Sequence, residues 1–169
     1  MKLAFTIAPG RGETNVLLAD VAERLIRRDV RVAGTVQIDT DRGEDRKCDM
    51  DVKVLPDGPL IRISEDRGAG ARGCRLDTDA LEGAVSDTEA ALAKGADLLL
   101  VNKFGKHEAE GRGFRDAIAM ALEKNIPVLV GVNKLNREAF LAFCGDVAEE
   151  LPADMTAISN WLDGAVQSR

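Results

Sequence analysis

The sequence predicts a three-layer α/β domain, built on a mostly parallel sheet with an antiparallel hairpin insert. Three observations point to it. Short apolar runs at Lys2–Ala8, Arg31–Ile38, Ala96–Val101 and Ile126–Val132 alternate with amphipathic helical stretches, as expected for parallel strands covered on both faces. Two shorter strand-like runs, Met50–Leu55 and Leu60–Ser64, flank the turn Pro56-Asp57-Gly58-Pro59, which predicts the hairpin. The length, 169 residues, suits one domain over 1–169 with a sizeable core.

The elements follow in order. After the first strand, Pro9-Gly10-Arg11-Gly12 makes a tight turn into a helix from Glu13 to about Asp29, with Leu17, Leu18, Val21 and Leu25 as its apolar stripe. The valine-rich strand Arg31–Ile38 completes a strand–helix–strand unit, for which a right-handed crossover is expected. Asp39–Asp49 is charged and aperiodic and is expected to be a mobile loop. Glu65–Arg75, rich in glycine and arginine, is read the same way. Asp77 or Thr78 caps a helix that Gly95 ends after Lys94. Beyond the central strand a helix is expected over about Glu108–Lys124, with Phe114, Ala117, Ile118 and Ala121 inward and Glu108, Arg112 and Arg115 as an i, i+4, i+7 stripe. Asn136 is expected to cap a helix containing Phe140, Leu141 and Phe143, and Trp161 and Leu162 to dock the tail on the sheet.

Composition narrows the function. A net charge of −6 argues against general nucleic-acid binding, though a local basic patch can still hold an anion. The chain has no apolar run near the length of a membrane span, and its first residues lack a full signal-peptide core. No membrane association is expected, and a cytoplasmic location is. Cys48, Cys74 and Cys144 are too few and too scattered for a disulfide framework, and with the single His107 they make no zinc motif. His107 is read as an exposed loop residue, since a lone histidine carries no motif.

Two places carry chemistry. The first is the turn Ile7-Ala8-Pro9-Gly10-Arg11-Gly12-Glu13-Thr14, set against the phosphate-loop pattern G-x-x-x-x-G-K-[ST]. Gly12 and Thr14 match, and Gly10 supplies a further glycine. Ile7 stands at the first glycine and Glu13 at the lysine, where a carboxylate would repel phosphate. The second follows the central strand, the favoured ligand end of an open α/β sheet. It holds Asn102, Lys103, Lys106, Glu108, Arg112 and Arg115, with Arg72 and Arg75 as further anion-binding candidates. A metal-dependent nucleotide hydrolase needs an acidic residue at the end of that strand, and Asn102-Lys103 is a poor substitute.

Residues 72–77 (Arg-Gly-Cys-Arg-Leu-Asp), 95–115 and 126–130 (Ile-Pro-Val-Leu-Val) resemble an uncharacterised bacterial family often encoded near molybdate-transport genes. Residues 102–108, Asn-Lys-Phe-Gly-Lys-His-Glu, are more distantly similar to the Asp-Glu-Ile-Gly-Lys-Met-Glu of thermophile-type P-loop nucleoside triphosphatases. They match it at Gly105, Lys106 and Glu108 and depart from it at Asn102 and Lys103. The resemblance implies a sheet of P-loop type, and the departures imply lost hydrolysis. The expectation is a non-hydrolysing accessory protein that binds a nucleotide or small oxyanion and is linked to molybdenum metabolism. The alternatives are an active triphosphatase with an atypical metal site and a pure interaction module. No catalytic residue, metal or cofactor is assigned, and homo-oligomerisation is left open.

Overall fold

The computed structural model describes residues 1–40, 49–65 and 75–166. Five parallel strands form the body of the sheet: β1 (Leu3–Thr6), β2 (Val32–Thr40), β7 (Leu98–Phe104), β8 (Val128–Val132) and β9 (Ala148–Leu151). The hairpin strands β3 (Asp49–Leu55) and β4 (Leu60–Arg62) extend it antiparallel, giving the order β4-β3-β2-β7-β8-β1-β9. A separate short ribbon pairs β5 (Ser64–Glu65) with β6 (Arg75–Leu76).

Side-chain alternation divides the core into two layers. Leu3, Phe5, Leu99, Val101, Val128 and Val130 face α2 (Thr78–Lys94), α4 (Arg115–Glu123) and α5 (Arg137–Cys144). Ala4, Leu98, Leu100 and Leu129 face α1 (Glu13–Arg27) and α6 (Met155–Ala165). The strands read as unbroken apolar runs because helices cover both faces. The fold is therefore α/β, mostly parallel and three-layered, with the antiparallel insert.

The central strand carries one irregularity. Its register against β8 shifts between Val101 and Phe104. Strict alternation would put Phe104 opposite Val101. The shift returns Phe104 to the Val101 side, where it packs edge-on against Phe140 at 5.1 Å.

Several expectations need correction. Asp39 and Thr40 end β2, and Asp49 begins β3, because pairing continues to Thr40 opposite Asp49. The remainder of that expected loop, 41–48, lies outside the described residues, as do 66–74 of the glycine–arginine loop. The long helix over 108–124 is broken. A four-residue helix α3 (Lys106–Ala109) ends at Gly111 and Gly113, both at positive φ (96° and 68°), before α4 starts at Arg115. Glycine tolerates this backbone and disfavours a helix interior, so Gly-Arg-Gly is a break. The expected stripe of Glu108, Arg112 and Arg115 consequently does not form. Asn136 makes no side-chain cap for α5. Instead, Asn133 accepts from the Leu135 N–H at 3.0 Å and starts a 3₁₀ turn over Lys134–Asn136. The cap of α2 is Asp77, which accepts from the Ala80 N–H at 3.0 Å. The tail docks through α6, with Leu162 buried and Trp161 half-buried, while β9 was not anticipated.

Gly34 sets the approach of β2 to β7. Its φ is +119°, and a Cβ there would lie 1.8 Å from the Leu100 carbonyl oxygen. Gly34→Ala is therefore expected to destabilise the protein by at least about 2 kcal/mol, through strain and a forced strand shift. Gly83, within α2, has open space where its Cβ would point. Gly83→Ala should stabilise by roughly 0.5–1 kcal/mol. Urea unfolding of both variants beside the wild type checks the pair.

Candidate functional site

The first turn is closed by its own side chains. The Glu13 carboxylate folds back and its Oε2 accepts from the Gly10 N–H at 3.1 Å. Thr14 Oγ1 accepts from the Ala8 N–H at 3.1 Å. Gly12 stands at the helix N-cap with φ 76° and no side-chain bond. A phosphate loop presents such N–H groups to its ligand. Here the carboxylate at the lysine position takes one of them, and it brings the charge that favours the helix N-terminus.

Asn102, where the pairing of β7 with β8 shifts register, is buried and hydrogen-bonded at both its amide oxygen and its amide nitrogen. Its Oδ1 accepts from the Gln37 N–H at 3.0 Å, and its Nδ2 donates to Asn15 Oδ1 at 2.8 Å. Asn15 Nδ2 and Gln37 Nε2 both donate to the Asp39 carboxylate at 2.9 Å. The four residues close a ring that joins β7, β2 and α1. A carboxylate at 102 would oppose the Asn15 carbonyl oxygen, and turning Asn15 to meet it would deprive Asp39 of a donor. The amide suits this ring, and an acid does not. A Mg²⁺ site of hydrolase type does not fit these residues. The strand-end side chain is a neutral amide already bonded to Gln37 and Asn15, and the cation Lys103 follows it.

On the α2 side of the ring lies a pocket of about 240 Å³. Met50, Val52, Ile63, Leu76, Leu81 and Phe114 form its apolar wall. Thr35, Gln37, Asn102, Lys103 and Lys106 line it together with Gly105, His107 and Glu108. Lys103 and Lys106 are exposed, and Lys106 stands only loosely opposite Glu110, at 3.9 Å.

The loop after β7 is fixed by two carboxylates that bind its backbone. Glu108 is buried, and its Oε2 accepts from the Gly105 N–H at 3.0 Å. A Cβ on Gly113 would lie 2.4 Å from its other oxygen. Burial pushes the Glu108 carboxyl above the usual range, against the pull of the Gly105 N–H, its own N–H, the His107 charge and the Phe114 N–H. Glu82, on α2, accepts from His107 Nε2 at 2.7 Å and from the Gly113 N–H at 2.9 Å. His107 is thus no exposed loop residue. It is 5% exposed and held in place.

The structure brings Asn102, Lys103, Lys106 and Glu108 to one pocket, and Arg75, Arg112 and Arg115 do not line it. Arg112 is exposed and pairs with Glu110 at 3.2 Å. Arg115 donates to the Glu108 carbonyl at 3.3 Å and lies over the Phe143 ring at 4.6 Å. Arg75 pairs with Glu65 at 3.3 Å, and Arg72 lies outside the described residues. Gly10, Gly12 and Thr14 sit in the closed turn. Cys144 donates its thiol to the Phe140 carbonyl, and burial raises its pKa. Cys48 and Cys74 lie outside the described residues. Sequence reasoning missed Glu82, Asn15, Gln37 and Thr35. Each lies within a strand or a helix, and no local spacing marks it.

The raised carboxyl of Glu108 has a consequence for pH. A carboxyl raised in the folded state contributes stability below its ordinary pKa and loses it as pH rises through the raised value. Glutamine does not titrate. The melting temperature of Glu108→Gln relative to wild type should therefore climb as pH goes from about 4 to about 7. The lost bonds add only a constant offset. Thermal melts of both proteins across that range measure the slope, and a flat or falling difference contradicts the assignment.

The solution structure of a human cancer-related nucleoside triphosphatase aligns with a TM-score of 0.62 at 20% identity, covering 97% of this chain and 95% of that one. The fold is thus of P-loop nucleoside-triphosphatase type. The molybdenum import ATP-binding protein ModC 2 of Bradyrhizobium diazoefficiens is 36% identical over 149 residues, or 88% of this chain. The chain spans 17% of the length of that curated relative. The family model for the protein of unknown function DUF2478 matches residues 3–161, and the chain belongs to that family.

Proposed function

We propose that this chain is a non-hydrolysing accessory protein that binds a nucleotide or a small oxyanion beyond the end of β7, with a link to molybdenum metabolism. The observation that carries the reading is the exchange of charge between two places. The phosphate turn holds the Glu13 carboxylate on the Gly10 N–H, whereas Lys103 and Lys106 line the pocket past the central strand. Anions favour the second place on Coulombic grounds, and it is the end of the sheet where α/β proteins take ligands. The relative named for molybdenum import and ATP binding supports the molybdenum link and the nucleotide class. Most of that relative lies outside the matched stretch, so the transport activity in its name is not carried over.

A second reading, an active triphosphatase with an atypical metal site, has one observation in its favour. Asp39 presents a carboxylate to the open groove beside the turn, which Arg11, Glu13 and Asn15 also line. Both Asp39 oxygens already accept amide donors, which weighs against a metal there. A third reading, a pure interaction module, predicts no small ligand.

Two measurements separate the three. Phosphate release from ATP or GTP with Mg²⁺ should stay at background, and turnover on the order of 1 per second would establish the second reading. Calorimetric titration with molybdate, tungstate, sulfate, phosphate and ATP should find one saturable ligand. Lys106→Ala should weaken it by roughly 10- to 100-fold, the effect of one charge-assisted hydrogen bond. Arg112→Ala should leave it unchanged, because Arg112 stands with Glu110. Absence of any binding at millimolar concentration would favour the interaction module.

A further inference from the structure

His107 has a free nitrogen. The one hydrogen bond of its ring among the described residues runs from Nε2 to Glu82. No fully buried side-chain nitrogen or oxygen among those residues lacks a partner. Nδ1 must therefore reach open space, and the space the ring lines is the 240 Å³ pocket. The Thr35 hydroxyl, with 1% of its residue exposed and no hydrogen bond of its own, reaches open space by the same argument and lines the same pocket.

The hydrogen bond fixes what Nδ1 can do. A carboxylate only accepts, so Nε2 carries a proton toward Glu82, and in the neutral tautomer this leaves Nδ1 as an acceptor for a ligand. Glu82 also binds the Gly113 N–H, so the carboxylate that sets the tautomer is itself anchored. The ligand that suits this tautomer brings a donor to His107. It must also fill a slot walled by Val52, Ile63, Leu81 and Phe114, which an inorganic oxyanion cannot wet without losing its hydration. The volume falls below the ~300–1,000 Å³ of typical ligand pockets, which suits a ring and not a whole nucleotide.

We infer that this pocket binds a planar N–H-bearing heterocycle, the base of a nucleotide, edge-on to His107 Nδ1 and Thr35, with the phosphate outside near Lys103 and Lys106. The inference rests on the reading that the ligand lies beyond β7, and it adds the class of ligand and the group that recognises it. The base enters from the side of the sheet opposite α1, so the closed turn need not open.

His107 is the only histidine of the chain, so its ring resonances report this pocket alone. The experiment follows those resonances by NMR in the full chain during titration with AMP, GMP, CMP and UMP, and with ribose 5-phosphate and inorganic phosphate as controls. At least one monophosphate should shift them saturably, and ribose 5-phosphate should not. Leu81→Trp fills the pocket and should abolish the shift. If that variant does not fold, Thr35→Val should weaken binding by roughly threefold to tenfold. The inference is overturned if no nucleotide moves the His107 signals at millimolar concentration, if ribose 5-phosphate moves them equally, or if neither variant changes the response. Anion binding that Lys106→Ala weakens while the His107 signals stay still leaves the proposed function standing and removes this inference. A nucleotide response at His107 that Lys106→Ala does not alter keeps the base site and removes the lysine-centred anion reading.

Discussion

The architecture around the site depends on one buried amide. Asn102 ties the end of the central strand to β2 through the Gln37 backbone and to α1 through Asn15, and Asp39 closes the ring. Polar groups at this depth are costly unless paired, so the ring holds these elements in a fixed relation. It also separates two spaces. On one side is the open groove against α1 and the first turn. On the other is the pocket against α2. Each member of the ring has its partners within the protein, which leaves little for a metal or phosphate to bind there.

The loop after β7 obeys the same logic. A stretch with Lys103, Lys106, Glu110 and Arg112 would ordinarily be a solvated surface. Here Glu108 turns inward to the Gly105 N–H, and Glu82 reaches from α2 to His107 and Gly113. Two carboxylates do for this loop what backbone pairing does for a strand. The loop becomes a wall, and a wall can hold a ring of fixed orientation. Burial of Glu108 raises its proton affinity, a cost that the backbone donors offset only in part.

The framework was legible in the sequence because it rests on periodicity and punctuation. The apolar runs of β1, β2, β7 and β8, the Pro-Asp-Gly-Pro turn, the Asp77 cap and the Gly95 stop are local signals, and the elements formed where they stood. The apolar spacing from Phe114 onward reads as one helix from Glu108, and the two glycines before Phe114 break it. The strand end was only half legible. Asn102 and Glu13 were visible as changed charges, but their partners are Asn15, 87 positions away, and Gly10, whose N–H no pattern marks. The burial of His107 is illegible for the same reason. Its burial depends on Glu82, 25 positions earlier and on another helix. Arg112 and Arg115 fell outside the pocket once the helix broke, since their alignment with Glu108 required it.

The triphosphatase-type fold and the changed charges at Glu13 and Asn102-Lys103 are what the proposed function joins. On that proposal the fold is kept, and an anion is taken at the end of the central strand and not at the first turn. Amide exchange across residues 8–16 and 103–114, with and without a saturating nucleoside monophosphate, tests that claim most directly. The account predicts slower exchange in 103–114 and no change in 8–16. Protection confined to 8–16, or none in either segment, would contradict it.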